Sequence, residues 1–110
     1  MDLSYEVKGS YAEIKAVGRL NMVSAPKLRE IVEDVVAAGS SRILVNLEQT
    51  PFMDSSGLGA LIGCLKAARQ AGGDLRIAGV QPQVQMVLGL TSMDKVLTSY
   101  ASADDAFSND

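Results

Sequence analysis

Polar and apolar residues alternate at the start of the chain. Leu3, Tyr5 and Val7 are apolar while Ser4, Glu6 and Lys8 are polar, the period of a half-buried strand. Gly9-Ser10 fits a two-residue hairpin turn with glycine first. Ala12, Ile14 and Ala16 then alternate with Glu13 and Lys15, predicting a second strand antiparallel to the first. From Ser24 the period lengthens. Leu28, Ile31, Val32 and Val35 fall on one face of a helix, with Ser24 as N-cap, Pro26 in the first turn and Gly39 past the end.

Ile43 to Leu47 is a bulky run that reads as a strand buried on both faces. After a polar loop, Leu58, Leu61, Ile62, Leu65 and Ala68 form the stripe of a second helix, with Lys66 and Arg69 in its last turn and Gly72-Gly73 beyond. Leu75–Ala78 predicts a fourth strand. Gln81-Pro82 opens a third helix with Val84, Val87 and Leu88 inward, and 96–100 a fifth strand. Ser102 to Phe107 reads as a short terminal helix, with Ser102 as cap and Phe107 as anchor. The order β-β-α-β-α-β-α-β-α predicts one α/β domain over residues 1–110. Its sheet is mixed and mostly parallel, carries an N-terminal hairpin and packs against about four α-helices.

Composition narrows the function. The 110 residues include no histidine and one cysteine. Ser-His and Cys-His catalytic pairs, imidazole zinc sites and disulfide frameworks are therefore excluded. A net charge of −3 argues against nucleic-acid binding, which needs a basic footprint. Met1-Asp2-Leu3-Ser4 has no positive n-region, so no signal peptide is expected. The apolar stretch Leu58 to Leu65 is too short to cross a bilayer, so no membrane insertion is expected. The expectation is a cytoplasmic, non-enzymatic binding module or switch without metal or cofactor.

The loop before the second helix, Asp54-Ser55-Ser56-Gly57-Leu58-Gly59, carries the candidate chemistry. Asp or Ser at a helix start caps free backbone N–H groups, and capping is the commonest reason to find them there. Here the loop also lies at the carboxyl end of a parallel strand, where α/β proteins meet ligands and partners. With no histidine to activate either serine, the hydroxyls read as acceptors of chemistry done by another protein, phosphorylation above all.

Phe52 to Gly59 resembles the phosphorylation-site motif of STAS domains of the bacterial anti-sigma factor antagonist type. The likeness extends to Gly18-Arg19-Leu20-Asn21, Ser24-Ala25-Pro26, Ile43–Leu47, Gly72-Gly73-Asp74-Leu75, Leu90-Thr91-Ser92-Met93 and Ala103–Phe107, roughly residues 3 to 107. The resemblance implies a partner switch. The unmodified chain would bind an anti-sigma factor that is also a serine kinase, with ATP held by the kinase, and so free a sigma factor. Phosphorylation of Ser55, with Ser56 as second choice, would switch it off, and a phosphoserine phosphatase would reset it. The implied partner surface is Asn21, Met22, Asp54, Ser55, Ser56, Gly57 and Leu58. The alternative is a STAS module of a lipid or anion transport complex or of a stress-signalling scaffold.

Two positions depart from the family pattern. Asn21 stands where an aspartate is often found, keeping hydrogen-bonding ability without the charge. Ser92 stands where glycine often follows the threonine, and serine is strained if the backbone there needs a positive φ. Cys64 reads as a small core residue and Arg29 and Glu33 as a solvated pair; Met22 and Met86 are either exposed contact residues or, the commoner outcome for methionine, gap-fillers. Asp104 and Asp105 read as dipole-stabilising acids.

Overall fold

The computed structural model describes residues 1–107. Five strands, β1 (Asp2–Lys8), β2 (Tyr11–Val17), β3 (Arg42–Gln49), β4 (Asp74–Ala78) and β5 (Ser99–Tyr100), form one sheet in sequence order. β1 and β2 are antiparallel, Lys8 facing Tyr11 across the Gly9-Ser10 turn, and all later pairs are parallel. Gly9 has φ +58, the left-handed conformation its place in the turn requires. Parallel neighbours need crossovers, supplied by α1 (Ala25–Ala37), α2 (Ser55–Gln70) and α3 (Pro82–Leu90).

Right-handed crossovers that always step to the next strand put all three helices on one face. The main core lies there. Ile14, Ile43, Val45 and Ile77 of the strands meet Leu28, Val32, Leu61, Leu65 and Leu88 of the helices, all at 2% exposure or less.

The terminal helix is corrected: the described residues contain three α-helices, and Ala103–Asp105 is a single 3-10 turn. One turn cannot recover the entropy of nucleating an α-helix, and here Phe107 is drawn away onto the sheet. Its ring stacks on Tyr11 at 5.2 Å, with the Arg76 and Arg42 guanidinium groups at 4.3 and 4.9 Å from its centroid. Arg76 also donates to the Ala106 carbonyl at 2.7 Å. Phe107 and Ala106 thereby bury Leu44 and Ala78 on the face the helices leave bare. Ser102 makes no backbone cap and instead donates to Asp105 Oδ2.

The role expected of Ser24 is also corrected. Its backbone is already helical and its hydroxyl makes no cap; it donates to the Arg19 carbonyl at 2.8 Å. Asn21 Oδ1 does the capping, accepting from the Val23 and Ser24 N–H groups at 3.0 and 3.2 Å. The fifth strand is two residues long rather than five, because Met93–Lys95 forms a 3-10 turn and Leu97 is taken into the core. Arg29 and Glu33 form no ion pair; the Arg29 guanidinium lies alongside Gly59 and Gly63 of α2. Ser92 has φ 59, the one non-glycine residue with positive φ among those described. α3 therefore ends on a left-handed residue, at a cost of about 1–2 kcal/mol that glycine would avoid.

Glu13, an outward polar position in the strand pattern, is 3% exposed. Lys8 Nζ sits 2.6 Å from its carboxylate and Asn46 Nδ2 donates to it at 3.0 Å. Burial pushes its pKa up, but the bonds from Lys8 and Asn46 and the charges of Lys8 and Lys15 outweigh that and hold it below the ordinary carboxylate value. A lowered folded-state pKa contributes stability that is present above the unfolded value and lost as pH falls through the folded one. Glu13→Gln is thus expected to flatten the acid side of the stability curve. Urea denaturation of both proteins, titrated downward from neutrality, checks it; parallel curves contradict it.

Candidate functional site

The carboxyl ends of β2 and β3 continue as two side-by-side segments that set the site. Leu20 and Met53 form an isolated parallel bridge, with Leu20 N–H donating to the Phe52 carbonyl and Asp54 N–H to the Leu20 carbonyl. Thr50, fully buried, donates its hydroxyl to the Ala16 carbonyl at 2.8 Å. Arg19 lies over the Phe52 ring at 4.3 Å. The bridge brings Asn21-Met22-Val23 beside Asp54-Ser55-Ser56, two stretches more than thirty residues apart in the chain.

Asp54 is the N-cap of α2, its backbone extended and its Oδ1 accepting from the Gly57 N–H at 2.9 Å. Ser55 is therefore the first helical residue. It is exposed and Ser56 is half-buried, and neither hydroxyl is hydrogen-bonded among the described residues. The backbone N–H groups of Ser55 and Ser56 also have no acceptor there, leaving the positive end of the helix dipole facing outward. The one carboxylate of the loop, Asp54, is engaged in the cap. Among the described residues the loop thus presents an exposed serine hydroxyl at the positive end of a helix.

Of the residues expected at the site, Asn21, Asp54, Ser55 and Ser56 come together as described. Met22 is 72% exposed, and with Val23, also 72%, forms an apolar shoulder to the loop. Met22 is thus no gap-filler, and neither is Met86 at 55% exposure; Met53 and Met93 fill gaps instead. Gly57 and Leu58 face inward. A β-carbon on Gly57 would stand 2.3 Å from the Leu20 carbonyl oxygen, so glycine lets α2 approach the neighbouring segment. Leu58 packs into the core and supports the loop from beneath.

Cys64 is buried on α2, and burial pushes its pKa up to about 12, so it stays a protonated thiol. The described residues contain no cluster of three or more His, Cys, Asp or Glu side chains placed to hold a metal ion. No helix among them is long and apolar enough to cross a membrane.

Comparison with known proteins decides the family. The STAS domain family matches residues 2–106. The chain belongs to the STAS domain family. An anti-sigma-B factor antagonist of Staphylococcus aureus is 32% identical over 99 residues, covering 88% of this chain and 92% of the relative. Among solved structures, an anti-sigma factor antagonist from Mycobacterium paratuberculosis has a TM-score of 0.86 at 24% identity, covering 97% of this chain and 91% of the other. The phosphorylated form of the Bacillus cell fate determinant SpoIIAA has a TM-score of 0.71 at 20% identity, covering 94% and 95%. These two likenesses concern the fold.

One set of site residues escaped the sequence reading. Gln83, in the first turn of α3, accepts the Met53 N–H on Oε1 at 2.8 Å and donates from Nε2 to the Met53 carbonyl at 3.0 Å. Gln81 donates from Nε2 to the Glu48 carbonyl. Both read as ordinary polar positions at a helix start. No local pattern marks a contact that spans about thirty residues and joins a side chain to backbone.

Proposed function

We propose that this STAS domain is an anti-sigma factor antagonist switched by phosphorylation of Ser55. One observation carries the reading: an exposed serine hydroxyl at the first position of α2, hydrogen-bonded to none of the described residues, beside the apolar shoulder of Met22 and Val23. The Staphylococcus relative, bearing the antagonist name over nearly its whole length, supports it. Unphosphorylated, the chain binds an anti-sigma factor over Asn21, Met22, Val23, Asp54, Ser55 and Ser56, and the sigma factor is released. That partner, as a serine kinase holding ATP, phosphorylates Ser55; a phosphoserine phosphatase restores the hydroxyl. The chain is then a substrate rather than an enzyme, one domain over residues 1–110, acting in the cytoplasm without nucleic acid.

Phosphorylation adds about −1.5 to −2 charges. The outward N–H groups and dipole of α2 accommodate them, so the fold survives. A partner packed over the loop cannot accommodate them so easily, because it must desolvate the phosphate beside Asp54.

Incubation with candidate anti-sigma kinases and ATP, read by mass spectrometry, is expected to add one phosphate, absent in Ser55→Ala. The phosphorylated form is expected to bind the kinase at least tenfold more weakly, about 1.4 kcal/mol, with unchanged circular dichroism. Label kept in Ser55→Ala and lost in Ser56→Ala moves the site by one residue. No label with any cognate kinase, and transporter subunits co-purifying instead, replaces this reading with the transport one.

A further inference from the structure

The loop that presents Ser55 is fastened on both sides, by different means. On the β2 side the fastening is main chain, through Gly18, Leu20 and the Leu20–Met53 bridge, with the Thr50 hydroxyl added. On the other side no strand among the described residues extends as far as the loop. β4 ends at Ala78, and Gly79, at φ +68, turns the chain away toward α3. The space is closed by two side-chain amides instead. Gln81 binds the Glu48 carbonyl where β3 ends, and Gln83 binds both the N–H and the carbonyl of Met53, one residue before Asp54.

An amide side chain carries the donor and acceptor of a peptide group, so Gln83 stands in for the missing neighbour strand. Met53 is 1% exposed, and Gln83 is the partner of both its backbone groups. Without that amide the two backbone groups of a buried residue lose their partner. Pro82 between the two glutamines begins α3 with a fixed φ, which sets the two amides toward opposite ends of the loop.

We propose that Gln81 and Gln83 form a two-amide staple that positions the Asp54-Ser55 loop for its modifying enzyme, with Gln83 as the positioning residue that governs how readily the loop docks. The proposal rests on the Ser55 reading above. A clamped loop docks already ordered. A loosened one must be ordered on docking, which weakens binding without altering phosphoryl transfer once bound.

The test is steady-state phosphorylation of the full chain by its cognate kinase. Gln83→Met keeps the length of the side chain and removes both bonds. It is expected to raise KM about tenfold, as two ordinary hydrogen bonds would, with kcat nearly unchanged. Gln83→Glu keeps the acceptor for the Met53 N–H but turns a carboxylate oxygen toward the Met53 carbonyl, so its KM is expected to rise at least as far; it also serves if the methionine variant does not fold. Leu88→Ala, a cavity in the same helix away from the loop, is the control. It is expected to lower thermal stability and leave KM alone. Hydrogen exchange at the Met53 amide is expected to quicken in Gln83→Met and not in Leu88→Ala. A wild-type KM in both Gln83 variants, or an equal rise in Leu88→Ala, overturns the staple alone. Absence of label on the wild-type chain overturns the Ser55 reading and the staple with it.

Discussion

Gly57→Ala is expected to lower stability by about 3 kcal/mol, the upper part of the range for overpacking. Alanine is the better helix former by about 1 kcal/mol, so propensity alone gives the opposite sign. Geometry decides. The added β-carbon would lie 2.3 Å from the Leu20 carbonyl oxygen and 2.8 Å from the Leu20 side chain. That carbonyl cannot retreat without releasing the Asp54 N–H it accepts, and the Leu20 side chain is fully buried. The substitution therefore forces apart the two segments that form the candidate site. Gly59→Ala, two residues on, is the internal comparison. Its nearest contact is an Arg29 guanidinium nitrogen at 4.0 Å, and it is expected to leave stability unchanged or raise it. The thermal melt should fall for Gly57→Ala and stay level or rise for Gly59→Ala. A Gly57→Ala melt at or above wild type would mean that the helix start can shift freely, and the site would lose its rigid frame.

Phe107→Ala is expected to cost about 3 kcal/mol, as buried aromatic truncations do. The ring is 4% exposed, stacked on Tyr11 and flanked by Arg42 and Arg76. Its loss also uncovers Leu44 and Ala78, which the helices do not reach. Phe107→Leu should recover the part due to apolar burial and not the part due to ring stacking and the two cations. Urea midpoints of the three proteins give the ordering wild type, leucine, alanine. A shift worth less than about 1 kcal/mol for alanine would mean that the terminal segment unfolds separately from the sheet.

Most of the architecture was legible because it follows from local periodicity. The alternation of Leu3-Tyr5-Val7 and Ala12-Ile14-Ala16, the stripes of α1 and α2 and the glycine stops need only near neighbours to be recognised. The candidate site was legible for a related reason. A cap followed by small residues at a strand-to-helix junction is a local pattern, and the resemblance to STAS motifs rests on the same residues. The misreadings share a cause. Ser24 looked like a cap because capping residues are recognised by type, yet the Arg19 carbonyl competes for its hydroxyl and Asn21 takes the role. The terminal segment looked helical because Ser102 and two acids fit a helix start, yet the aromatic and guanidinium groups of the sheet hold Phe107 more strongly than one helical turn could.

The order of the five strands and of the first three helices, the buried stripes and the serine at the start of α2 were determined by the sequence alone. The tertiary structure decided which neighbours those elements acquire. Gln83 on Met53, Glu13 beneath Lys8, Gly57 against Leu20 and Phe107 against two arginines are contacts across the fold. Their energies depend on distance and desolvation, which exist only once distant segments have been brought together.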